Sequence, residues 1–126
     1  MTVENKNTTS PNSSNIFLRP WGSYENVIEE IGYKVKKIIV KPHSRLSLQS
    51  HEQRSEHWIV VQGTAIVTVG EKEQILKIDK NAYIPKGSLH RLENKEDCDL
   101  VIIEVQLGSY LGEDDIKRYQ DDYNRT

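Results

Sequence analysis

The chain has one cysteine, Cys98, among 126 residues, so no disulfide can form within it, and this usage fits a reducing compartment. It lacks any run near the roughly 20 apolar residues needed to cross a bilayer, and its N-terminus has no apolar stretch of the signal-peptide kind. A cytoplasmic location is the expectation. Charge of one sign is missing too: 17 Lys and Arg against 19 Asp and Glu leave a net charge of -2, which gives no overall footprint for nucleic acid or membrane. Binding must therefore rest on a local site. The length suits one domain with one core, and the hydrophobic residues, 36% of the chain, are gathered into clusters that can supply it.

Residues 1–15, "MTVENKNTTSPNSSN", are rich in Ser, Thr and Asn, offer almost nothing to pack, and read as a disordered tail. The folded domain is expected over 16–126, starting at "IFLRPWGSYE" with Ile16, Phe17, Leu18 and Trp21. Between Tyr33 and Gln106, short apolar or alternating runs separated by turn residues predict an all-β sandwich or barrel, with strands near 33–40, 46–51, 56–62, 64–69, 73–78, 82–85, 89–94 and 100–106. "VGEKEQI" predicts a hairpin with Gly70 at its turn. In "EDDIKRYQDDY", Ile116, Tyr119 and Tyr123 recur at helical spacing behind leading acids, which predicts a short terminal helix.

Chemistry concentrates in "LSLQSHEQRSEHWIVVQG". On a strand, Gln49 and His51 share one face and Leu46 and Leu48 the other; the chain then turns, and Glu56 opens the next strand. An imidazole, a carboxylate and an amide oxygen can serve a divalent cation, and His90, delivered by the turn at Pro85 and Gly87, supplies a fourth donor. Each residue also has an ordinary reading: a solvated histidine, an edge glutamine, a surface pair of Glu56 with Arg54. The two segments together favour the metal.

The segment "QSHEQRSEHWIVVQG" resembles the first cupin motif, in which Glu56, six residues and Gly63 keep the expected spacing; "PKGSLHRLEN" resembles the second, with Pro85, Gly87, His90 and Asn94 in place. Two positions depart from the pattern, Gln53 where a second His is usual and Asp79 where the second motif opens with Gly. The stretches "RPWGSYE", "VKKIIVKP", "LSLQSH", "YIPKGSLHRLEN" and "IEVQLGSYLGEDDIKRYQDDY" extend the likeness, in order, to the C-terminal cupin domain of the type II phosphomannose isomerase/mannose-1-phosphate guanylyltransferase family. In that family, Gln49 corresponds to a metal ligand that replaces the missing His.

The resemblance implies a cupin, that is, a double-stranded β-helix or jelly-roll barrel, with a short C-terminal helix. It also implies a divalent metal on Gln49, His51, Glu56 and His90, zinc first, with manganese, cobalt, nickel or iron acceptable to a mixed N/O set. The implied reaction interconverts mannose 6-phosphate and fructose 6-phosphate through an enediolate, in the service of GDP-mannose and polysaccharide synthesis. A homodimer is expected, since such cupins commonly pair. The Gly-rich nucleotide loop of the guanylyltransferase does not occur in this sequence, so the expectation is a stand-alone isomerase module. For the phosphate the candidates are Arg54 and Lys86, with Arg91 beside His90. The catalytic candidates are Glu104, Arg91 and Lys36; for the base it is Glu104, which shares a strand face with Leu100, Ile102 and Gln106, with Lys36 and His57 as rivals. His57 is expected to point away from the metal, and Trp21 and Tyr24 are read as packing residues. The alternative is a non-catalytic cupin that binds a sugar phosphate or nucleotide sugar and partners a separate guanylyltransferase.

Overall fold

In the computed structural model, which describes residues 15–124, two antiparallel sheets face one another. The first has the order β1 (Ile16–Arg19), β2 (Gly22–Glu30), β3 (Tyr33–Val40), β11 (Leu100–Gly108), β6 (Arg54–Gln62) and β9 (Asn81–Ile84). The second runs β12 (Lys117–Gln120), β5 (Leu48–Ser50), β10 (His90–Asn94), β7 (Ala65–Val69) and β8 (Lys72–Leu76), with the short β4 (Ser44–Arg45) also paired to β10. The chain crosses repeatedly from one sheet to the other, which gives the double-stranded β-helix. The expected tail lies, but for Asn15, outside the described residues. No helix among the described residues is long and apolar enough to cross a membrane.

Period-2 alternation sets which side chains face inward. On β6, Arg54, Glu56, Trp58 and Val60 are buried, while His57 is exposed and packs its ring 4.8 Å from that of Tyr83. Lys34, Lys36, Ile38 and Val40 face inward on β3, and Leu100, Ile102, Glu104 and Gln106 on β11. Register then layers these residues across the sheet. Ile102 lies opposite both Ile38 and Val60, whereas Gln106 lies opposite Lys34 and Glu56, and Glu104 opposite Lys36 and Trp58. One end of the barrel is thus an apolar core, closed by Leu92, Val67 and Ile84, each worth about 1.5–3 kcal/mol on full burial. The other end is polar and open, and the site is there.

The turn chemistry matches this frame. Gly70, at φ +62°, makes the expected β7–β8 hairpin. Gly63 takes φ +87°, and a Cβ there would meet the Asp99 carbonyl oxygen at 3.0 Å, so the glycine that closes the first motif serves a close backbone approach. Asp79, standing where the second motif usually has Gly, is held at φ +80°. That backbone explains why Gly is the usual choice, since only short polar residues otherwise tolerate it. Asn94 is wholly buried, donating to the carbonyls of Val40 and Cys98 at 3.0 and 2.8 Å and accepting from the Glu96 amide, so it clasps the chain crossing.

Three expectations are corrected. The C-terminal helix does not form: Lys117, Arg118 and Gln120 pair instead with β5, because closing the open edge of that strand supplies more than an isolated short helix could. Leu46 does not face away from Gln49 and His51. Strand geometry is broken at 46–47, and Leu46 packs on the core and lines the cavity. Strands β1, β2, β4 and β12 lie outside the expected set.

Candidate functional site

His51 follows the end of β5, Glu56 lies on β6 in the first sheet, and His90 opens β10 in the second. Potential ligand atoms of the three lie within 4.8 Å of one another, and all three residues are buried. Gln49 lies directly across the strand pair from His90 and lines the same cavity, where its amide nitrogen donates to Ser47 Oγ at 3.0 Å. That bond leaves its carbonyl oxygen as the donor atom available to an ion.

The tautomers follow from the partners. His51 Nδ1 lies 2.7 Å from the Asp115 carbonyl oxygen and His90 Nδ1 lies 3.0 Å from that of Ser88. A carbonyl only accepts, so both Nδ1 atoms carry the hydrogen and both Nε2 atoms keep a lone pair. Burial first, then the Arg54 guanidinium, pushes the His51 imidazolium down to about 4, and burial likewise lowers His90. Both rings are thus neutral near pH 7, as metal ligands must be.

The fit to a cation is visible in the contacts. His51 Nε2 and Glu56 Oε2, two acceptors, stand 3.4 Å apart. Between them reaches Arg54, with Nε 2.7 Å from Glu56 Oε2 and one terminal nitrogen 3.2 Å from His51 Nε2. The positions suit positive charge, and two imidazole nitrogens, a carboxylate and an amide oxygen make a suitable donor set for a divalent ion. Glu56 is oriented by Trp58, whose indole N–H donates to Oε1 at 2.8 Å, and the same indole stands edge-on to His90.

Above this group lies a cavity that opens to solvent. Glu104 lines it, buried, with Gln106 Nε2 donating to its Oε2 at 3.0 Å; burial first, then Glu56, pushes its carboxyl up to about 8. Lys36 also lines it, its ammonium 2.7 Å from Glu113 and 4.0 Å from the centre of the Tyr24 ring. Arg91 lines it too, but its guanidinium donates to the Leu46 carbonyl and to Gln120, stitching the barrel rim. Lys86 is exposed on its turn and outside the lining.

The sequence pattern did not place Arg19, Glu113, Ile116 and Arg118 at the site, yet all four line the cavity. Trp21 and Tyr24 serve both as core and as cavity wall. The one signal for Glu113 lay in its charge, since an acid is needed opposite the inward lysines of β3.

Glu113 gives a pH prediction. Burial alone would raise its carboxyl, but Lys36 and then Lys34 outweigh that and hold it below the ordinary 4.5. A depressed folded value contributes stability that is present above 4.5 and lost as pH falls through the folded value. Glu113→Gln should therefore cost roughly 1 kcal/mol at pH 7, and the gap to the parent chain should close in acid. Thermal melts at pH 7 and pH 3 check this; an equal gap at both sinks it.

Two facing sheets that enclose a buried His–Glu–His group at an open end define a cupin with a candidate metal centre. Solved structures match that fold: the capsular polysaccharide assembling protein CapF of Staphylococcus aureus at TM-score 0.71, with 20% identity over 83% of this chain and 34% of that one. The Schizosaccharomyces pombe Cnp3 cupin domain matches at 0.66, with 13% identity over 68% and 64%. Residues 5–121 match the family described as mannose-6-phosphate isomerase C-terminal, and the chain belongs to that family. Over 108 residues it is 54% identical to the xanthan biosynthesis protein XanB of Xanthomonas campestris pv. campestris and 56% identical to the alginate biosynthesis protein AlgA of Pseudomonas aeruginosa. These matches cover 86% of this chain and 23% and 22% of the relatives, so it spans less than a quarter of their length. Mannose-1-phosphate guanylyltransferase 2 of Escherichia coli O157:H7 is 50% identical over 105 residues, 83% of this chain and 22% of that protein.

Proposed function

We propose that the chain is a metal-dependent aldose–ketose isomerase that interconverts mannose 6-phosphate and fructose 6-phosphate for polysaccharide precursor synthesis. The observation that carries this reading is the buried group His51, Glu56 and His90 at the floor of a cavity that Glu104 and several cations wall. With Gln49 these residues would hold the ion, zinc being the first to test, and a divalent ion there supplies polarisation of a substrate oxygen.

The chain's own residues account for the rest. Glu104 takes the proton from C2 and returns it to C1, because of the two cavity-wall acids outside the ion's donor set the other, Glu113, is ion-paired with Lys36 and Lys34. Lys36, opposite Glu104 in the β3–β11 register, places positive charge where oxygen becomes anionic. Arg54 and Arg91 are buried, so we assign the phosphate to Arg19, which is exposed, and Arg118, which is half-buried, with Arg54 adding to the positive field. Trp21, Tyr24 and Ile116 form the apolar wall that keeps water from the enediolate.

The test is fructose 6-phosphate formation from mannose 6-phosphate by the purified chain, before and after chelation and metal return. Turnover lost to the chelator and restored by the ion supports the reading. Silence from a fully metallated chain overturns it and leaves a sugar-phosphate binding cupin that accompanies a separate guanylyltransferase.

A further inference from the structure

Asp115 lies 64 residues beyond His51, in the segment between β11 and β12 that the sequence pattern marked as helix. Instead it docks on the corner between β5 and β6. Its carboxylate accepts from two successive amides there, Glu52 N–H through Oδ1 and Gln53 N–H through Oδ2, each at 3.0 Å. Its main-chain carbonyl accepts the Nδ1 hydrogen of His51 at 2.7 Å. One residue thus grips both the loop that follows a candidate ligand and the ring of that ligand.

The two contacts depend on each other. A main-chain carbonyl is available in any residue, but its place depends on what anchors the segment, and the paired carboxylate bonds anchor it beside His51. The docking continues on either side. Two residues back, Glu113 pairs with Lys36 at 2.7 Å; two residues on, Lys117 begins the pairing with Ser50. On its other side the His51 carbonyl accepts from Gly87 N–H at 2.8 Å, which ties the same corner to the turn that delivers His90. With Nδ1–H committed to Asp115, the Nε2 lone pair is the one His51 offers to the cavity, and a partner on the second ring nitrogen fixes tautomer, ring angle and donor strength.

We propose that Asp115 is the positioning residue of the metal centre, holding His51 in its Nδ1–H tautomer through a carbonyl that its own carboxylate anchors. This inference rests on the metal reading above and adds to it the C-terminal segment as part of the site's construction.

The test measures zinc affinity by chelator competition, and the His51 tautomer by ¹⁵N imidazole shifts in the metal-free chain. The variants are Asp115→Ala and Asp115→Asn, with thermal melts alongside. Asp115→Ala should weaken zinc binding by about 10–100-fold and mix the two tautomers. Asp115→Asn, which keeps one acceptor oxygen, should recover part of both. A merely structural residue would lower the melting temperature and leave affinity and tautomer unchanged, and that result overturns the inference. If the alanine variant does not fold, the asparagine variant and the parent spectrum still decide, since a parent His51 in the Nε2–H form overturns it alone. A parent chain that takes up no zinc overturns the inference together with the metal reading. Zinc uptake weakened in the variants supports it even if the parent turns over no sugar phosphate, the result that removes the isomerase reading only.

Discussion

His51→Ala is expected to strip the protein of its metal, from about one ion per chain to almost none, and to reduce isomerase turnover to background. The ring contributes one of the two neutral nitrogens of the site and sits in contact with the other, the His51 and His90 centroids being 4.9 Å apart. Without it, Arg54 and Glu56 keep their 2.7 Å ion pair, and His90 is left as the one neutral imidazole of the group, too few donors to hold a second cation. The barrel itself should survive, because the wholly buried Val40, Val67, Leu92, Leu100 and Ile102 lie at the apolar end. Elemental analysis of the purified variant, with circular dichroism as the folding control, is the measurement. A folded variant with full metal and full activity would remove His51 from the ligand set and the proposed centre with it.

Glu104→Gln separates proton transfer from metal binding. The glutamine is nearly isosteric, can still accept from Gln106 Nε2, and removes no member of the His51, Glu56 and His90 group. Metal content and KM should stay close to the parent values, while kcat falls by about 10²–10⁴-fold, the usual share of a positioned acid or base. Loss of metal with loss of rate would make Glu104 part of the ligand environment instead, and an unchanged kcat would move the base elsewhere in the cavity, with Lys36 the next to examine.

The histidine and glutamate positions were legible because alternation and motif spacing act over a few residues: two apart on a strand means one face, Gly63 marks the turn that ends the strand of Glu56, and Gly87 the turn that precedes the strand of His90. Arg54 was visible as a charge near the ligands but not in its role. Its burial between His51 and Glu56 depends on β6 beginning at Arg54 itself, one face-sharing position before Glu56. The C-terminal segment was read wrongly for a related reason. Ile116, Tyr119 and Tyr123 do recur at helical spacing, yet the free edge of β5 competes for that backbone and takes it. Local periodicity carries no information about such an edge.

The sequence by itself determined the all-β class, the two faces of β6 and β11, and the residue types able to hold an ion, since each depends on local geometry and side-chain chemistry. Tertiary structure decided the rest. Cross-strand register put Val40 beside Leu100 and Lys36 beside Glu104, so that one barrel face became core at one end and cavity at the other. The fold also brought Glu113 to the cavity and Asp115 to the His51 ring from the far end of the chain. Those placements arise because buried charges and unpaired strand edges must find partners wherever the fold offers them, at any separation in sequence.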